Sequence, residues 1–219
     1  ASVNIPNAES KALTVENGGV LVVETGMALT VQEQIINLGD GTNFTVENDA
    51  NLIQVADITN EGDITVKRNT SMKKNDYTYW GSPVEGQNLR AFSPGKLYTY
   101  NEWDDYFTLL NGTENFDSKA KGYAIQAGPA HQSGVSTAFN GVFLGKPKNG
   151  NIVMTLKRQG RGYNLIGNPY PSNIDFAELY AANSDLIYNT AYFWTNLNHN
   201  PESQGSNYPN GRTINNYAI

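Results

Sequence analysis

Leu13-Thr14-Val15-Glu16, Leu29-Thr30-Val31-Gln32 and Phe44-Thr45-Val46-Glu47 are three near-copies of one tetrad, spaced by 16 and 15 residues. Each alternates apolar and polar side chains, the period-2 pattern of a strand with one buried face. Leu21-Val22-Val23-Glu24 and Leu52-Ile53-Gln54-Val55 fall between them, and Ile64-Thr65-Val66-Lys67 closes the series. Turn formers such as Asn17-Gly18-Gly19 and Gly39-Asp40-Gly41 separate the strands. Short strands with a super-period of about 16 residues predict a β-solenoid with two strands per coil over residues 1–72. An antiparallel meander with tight hairpins gives similar spacing.

Residues 68–76 break this rhythm with a polar run that includes Lys73 and Lys74, which places a module boundary there. Beyond it the apolar runs are longer and more aromatic. Strands are expected over 96–101, 122–127, 135–144 and 151–156, the last two flanking a Gly/Pro-containing turn. One short helix is expected over 174–182, capped by Ser172 or Asn173, with Asp175 and Glu178 near its positive end. The fold class is therefore all-β: a short N-terminal β-solenoid, then a β-sandwich-like module over 73–219 with one short helix.

Two stretches echo each other 86 residues apart: Trp80-Gly81-Ser82-Pro83-Val84 and Ile166-Gly167-Asn168-Pro169-Tyr170. In both, an apolar strand runs into Gly, then Ser or Asn, then Pro, which reads as one structural joint used twice. An aromatic strand over 191–195 and a polar loop through His199, Pro201 and Gly205 follow the second copy. No counterpart of the Lys121-Gly122-Tyr123 strand comes after them, so the second unit is expected to be unfinished and the polypeptide longer.

Composition narrows the function classes. Lys and Arg number 15 against 21 Asp and Glu, a net charge of −6, which argues against nucleic acid or an anionic membrane as partner. Only 16% of residues are charged, against a typical ~25%. Asn, Thr and Gly abound instead, with 13 tyrosines, a mixture similar to that of secreted all-β proteins. No cysteine is present, which removes disulfides, thiolate metal sites and cysteine nucleophiles. No apolar run approaches the ~20 residues of a membrane-spanning helix.

Tyr77-Thr78-Tyr79-Trp80-Gly81-Ser82-Pro83-Val84-Glu85-Gly86-Gln87-Asn88-Leu89 and Gly162-Tyr163-Asn164-Leu165-Ile166-Gly167-Asn168-Pro169-Tyr170-Pro171-Ser172-Asn173-Ile174-Asp175 carry a family resemblance. Together with Ile64-Thr65-Val66-Lys67-Arg68, they resemble the module near the C-termini of large secreted and surface proteins of Bacteroidota, a group that includes gliding flavobacteria. The resemblance covers essentially the whole chain. It implies export by the type IX secretion machinery, display outside the outer membrane and an adhesive or surface-structural role, with gliding motility as a setting. It supplies no catalytic residues, and no cofactor is expected apart from a candidate Ca²⁺ ion.

The residues themselves offer few chemical sites. His131 and His199 sit in polar stretches without metal-ligand spacing. No G-x-S-x-G and no phosphate-cradling Gly-rich loop is present. Glu102, Asp104 and Asp105 surround Trp103 in one loop, where clustered carboxylates could hold Ca²⁺, an acid pair could serve glycoside hydrolysis, or a plain solvated turn could form. Among the aromatics, Trp80 and Trp194 are expected in the core, and Trp103 with Tyr106 are the candidates for stacking on sugar rings. The expected partners are thus glycans or other surface proteins. The rivals are a carbohydrate-binding module of a secreted polysaccharide-active enzyme and a solenoid polysaccharide lyase, which needs charged residues repeated on successive coils.

Overall fold

The structure is a computed structural model and describes residues 1–194 and 217–218. Among the described residues the structure is mostly β, with two short helices. Residues 2–72 form β1 (Ser2–Val3), β2 (Ala8–Ser10), β3 (Leu13–Val15), β4 (Leu21–Val23), β5 (Ala28–Val31), β6 (Ile35–Asn37), β7 (Phe44–Val46), β8 (Asn51–Gln54) and β9 (Ile64–Met72). β10 (Tyr77–Trp80), α1 (Leu89–Phe92), β11 (Leu97–Asn101), β12 (Tyr106–Leu109), β13 (Tyr123–Gln126), β14 (Thr137–Gly145), α2 (Phe176–Ala182), β15 (Phe193–Trp194) and β16 (Tyr217–Ala218) follow.

The first nine strands pair in parallel across three separate sheets. Ser2 lies against Val22, Val22 against Thr45 and Thr45 against Thr65, steps of 20, 23 and 20 residues. Ala8 lies against Leu29 and Leu29 against Leu52, steps of 21 and 23. Leu13 lies against Ile35, a step of 22. The meander alternative and the 16-residue, two-strand period are both corrected by this register. The three look-alike tetrads are β3, β5 and β7, and each belongs to a different sheet. They look alike because every strand in the segment points apolar side chains at one shared interior, whichever sheet it joins. Val23, Val31, Ile35, Phe44, Val46, Leu52, Ile64 and Val66 fill that interior and are almost wholly buried.

Side-chain amides close two corners of this segment. Asn37 and Asn43 exchange hydrogen bonds of 2.8 and 2.9 Å, while Asn37 also donates to Asp63 O and Asn43 to Gly19 O. Gln54 and Asn60 form a second reciprocal pair at 2.9 and 2.7 Å. Asn60 further accepts from Ile35 N–H and donates to Pro147 O. Buried backbone groups at the turns are satisfied in this way without charge. Gly62 completes one corner at φ +75°, where an added Cβ would stand 1.9 Å from Asn37 O.

β9 continues through Met72, so residues 68–72 of the polar run are strand and the strand does not end at Lys67. Its nine residues pair antiparallel with β14, from Ile64 opposite Gly145 to Met72 opposite Thr137. The long partner supplies hydrogen bonds to a segment whose own composition reads as a turn. A further sheet, wholly antiparallel, runs β10-β13-β11-β12. One of its faces sets the Trp80 ring 5.1 Å from Phe92 and 5.4 Å from Phe139, joining the same apolar core as the parallel strands. The other face carries Tyr77, Tyr98, Tyr100, Phe107 and Ala124 as a second cluster. Half-buried Trp194 packs there, 5.8 Å from the Tyr79 ring, and its Nε1–H donates to Tyr77 O at 2.6 Å. Trp80 thus lies in the core as the sequence puts it, whereas Trp194, also expected in the core, is only half-buried at the margin of the tyrosine cluster.

α2 matches the expected helix, but its cap is Asp175, whose carboxylate accepts from Ala177 and Glu178 N–H. The single turn of α1, capped by Asn88, is too short to leave a periodic trace in the sequence. Residues 151–156 alternate in burial yet form no strand, because no described strand runs beside them to complete a ladder. His199 and the loop after the second echo lie outside the described residues.

Candidate functional site

The Glu102, Trp103, Asp104, Asp105 turn joins β11 to β12 at the edge of the antiparallel sheet. Tyr98 opposite Leu109 and Asn101 opposite Tyr106 bracket the hairpin. Asn101 organises the turn: its Oδ1 accepts from Trp103 N–H at 3.0 Å, and its Nδ2 donates to Asp104 at 2.7 Å. This is the Asx-turn chemistry that favours Asn before a tight reversal. Asp105 closes the turn in the left-handed region at φ +53°.

Each carboxylate has its own partner. Glu102 is nearly buried and meets Lys157 Nζ at 3.3 Å. Asp105 accepts from the Tyr100 hydroxyl and pairs with Arg161 Nε at 3.1 Å. Asp104 is held by Asn101. The three acids share four residues of chain but turn to three different places, so they do not form one oxygen cage here. Among the described residues, no three acidic or histidine side chains come together as a metal site. His131 instead sets Nδ1 3.1 Å from Met72 O and 2.8 Å from Thr137 Oγ1, bracing the far end of the β9–β14 ladder.

The ion pairs fasten the 157–162 loop beneath the turn. Gly160, at φ +55°, brings that backbone so close that an added Cβ would lie 3.1 Å from Glu102 O. Trp103 stands out from this braced base with 69% of its surface exposed, and Tyr106 beside it is 50% exposed. Phe107 between Tyr106 and Thr108 points the other way, into the tyrosine cluster, and anchors the strand. Two aromatics are therefore displayed on a hairpin whose acids hold it in shape. Lys157 and Arg161 are the members that local sequence reasoning misses. Lys157 and Arg161 lie more than fifty residues from the turn, and nothing in their own neighbourhood announces the pairing.

Fold and site together define a mostly β protein with an aromatic-tipped, ion-braced hairpin. No described helix is long and apolar enough to cross a membrane. The chain belongs to the family described as Domain of unknown function (DUF8693), which matches residues 1–219. Comparison with curated proteins and with solved structures returns no match.

Proposed function

We propose that the chain is a non-catalytic part of a secreted bacterial cell-surface protein, acting in adhesion or surface architecture outside the outer membrane. The observation that carries this reading is the exposure of Trp103 on a hairpin fixed from behind by Glu102–Lys157 and Asp105–Arg161. A large apolar ring is costly to leave in water, and a rigid mount lowers the entropy lost when it docks. Such a ring stacks on the apolar face of a sugar or into a pocket of a neighbouring protein. Repeated parallel register over residues 1–72 supports reading that segment as a β-solenoid stalk. The two apolar layers over 73–219 support a β-sandwich-like head. Export by type IX secretion rests on the resemblance of the two landmark motifs.

The same hairpin supports a second reading, a carbohydrate-binding module of a polysaccharide-active enzyme, because Tyr106 is exposed on the same hairpin as Trp103. Tryptophan-fluorescence titration with soluble oligosaccharides, alongside binding of the labelled protein to whole bacterial cells, tests both. Adhesion predicts cell binding that Trp103→Ala weakens by about tenfold, a loss of ~1.4 kcal/mol. Saturable binding of one oligosaccharide, lost in the same variant, favours the second reading. Unchanged binding in Trp103→Ala overturns the role of the hairpin in both.

A further inference from the structure

A cleft of about 390 Å³ opens along the outer side of β8, within the ~300–1,000 Å³ usual for ligand sites. Its floor is the strand itself, and its walls are the 148–151 segment and Tyr170, Pro171 and Ser172. Among the described residues, β5 is the one strand that pairs with β8, and it takes up one side of the β8 backbone. Asn51 N–H bonds Met27 O and Val55 N–H bonds Val31 O, so the odd positions face β5. Leu52 and Gln54 face the cleft. Leu52 N–H is taken by Pro171 O at 2.9 Å, as though a further strand had begun to pair. Leu52 O, Gln54 N–H and Gln54 O then take no partner among the described residues.

The groups around this edge set its chemistry. The amides of Gln54 and Asn149 are already committed, Gln54 to Asn60 and Glu33, Asn149 to Ala56 O and Ile58 O. What remains for a ligand is backbone, the exposed side chains of Ile53 and Val55, and the exposed carboxylate of Asp57, which accepts a 3.4 Å hydrogen bond from Asn151 N–H but keeps its charge. Lys148 also lines the cleft, but its ammonium turns inward to Ser82 O, Asp117 O and Lys119 O, and burial lowers its pKa. Asp57 meets no cationic side chain among the described residues, so the cleft presents a negative end.

We propose that the outer edge of β8 is a binding site for an extended peptide, which adds beside the strand through Leu52 and Gln54 and places a basic side chain at Asp57. Backbone pairing at a strand edge supplies affinity, and alternate side chains supply selectivity. Pro171 sets the register by occupying the first rung, and the apolar pair Ile53 and Val55 receives β-branched ligand side chains.

The test uses the full chain and the capped heptapeptide Thr-Val-Thr-Lys-Thr-Val-Thr, followed by amide NMR. Saturable shifts at the Gln54 amide, with its hydrogen exchange slowed about tenfold, are expected. Asp57→Asn should weaken this peptide about threefold yet leave its Gln-for-Lys counterpart unchanged, as a single exposed charge pair requires. Ser172→Trp, with an unaltered circular-dichroism spectrum, should fill the cleft and abolish the shifts. An unmoved Gln54 amide at millimolar peptide overturns the proposal, as does binding that survives Ser172→Trp. Binding of a xylo-oligosaccharide in place of the peptide, with no protection at Gln54, also overturns it.

Discussion

Gly81 and Gly167, the glycines of the two echoed motifs, meet backbone to backbone. A Cβ on Gly81 would stand 2.7 Å from Gly167 Cα, and one on Gly167 would stand 2.4 Å from Gly81 Cα. Gly122 joins the crossing, since its own Cβ would fall 2.8 Å from Leu165 Cγ and 3.2 Å from Gly167 N. Two hydrogen bonds pin the second motif there, Gly122 N–H to Leu165 O and Gly167 N–H to Ala120 O, each 2.8 Å. The echo is therefore a junction between the two motifs, in which the absence of a side chain on each glycine lets the other's backbone approach.

Gly81→Ala and Gly167→Ala should each destabilise the fold by about 1–3 kcal/mol, because main chain on both sides leaves nothing flexible to move aside. Urea denaturation measures this. A loss under 0.5 kcal/mol in both variants, the ~±0.5 kcal/mol range of ordinary surface substitutions, would show that the crossing is loose.

Asn60 carries more hydrogen bonds than its size suggests, linking Ile35 N–H, Gln54 and Pro147 O from a position 2% exposed. Asn60→Ala strands a buried donor and a buried acceptor, at about 1–3 kcal/mol for an unsatisfied group. Gln54→Ala should cost less, since its side chain is only partly buried. Thermal melts of the two variants check the order, and an equal or reversed loss would refute the ranking.

Much of the fold is legible in the sequence, for identifiable reasons. Alternation in Leu13–Val15 and Ala28–Val31 marks strands because inward and outward positions differ in burial there, whereas Phe44–Val46 keeps the pattern although all three of its residues are buried. Their spacing misleads about the period, because the turns differ in length and the strands of all three sheets share one interior. The polar residues of β9 read as a break because only a partner over sixty residues away, β14, makes them strand. Trp103 reads as exposed because acids flank it on both sides. The bracing of those acids by Lys157 and Arg161 is not legible, since an ion pair of that sequence separation leaves no local pattern.

Asp40 gives a signed pH dependence. Its carboxylate accepts from Thr42 Oγ1 at 2.7 Å and Thr42 N–H at 2.9 Å, which holds its pKa below the ordinary 3.8. The charged form is thus favoured in the folded state. That contribution is fully present above the unfolded value and is lost as pH falls through the lowered folded value. Stability measured between pH 5 and pH 2 should fall less steeply in Asp40→Asn than in the parent chain. Superimposable acid limbs would remove Asp40 from the account.

Glu102 and Lys157 allow the bracing of the hairpin to be measured directly. Glu102 keeps 7% of its side-chain surface, whereas Lys157 keeps 59%, so only one partner is desolvated. Removing the lysine leaves a nearly buried carboxylate without its cation, which costs more than losing an exposed pair. Lys157→Met should therefore destabilise by about 1–2 kcal/mol, less than the ~3–5 kcal/mol of a fully buried pair because water still reaches the ammonium. Glu102→Gln in the same background should recover part of that loss, giving a coupling energy above ~0.5 kcal/mol in a double-mutant cycle. The cycle can be repeated with the Trp103 emission maximum as readout. A spectral shift in Lys157→Met that Glu102→Gln reverses is expected if the pair positions the exposed ring, and strict additivity in both readouts would separate the ring from its base.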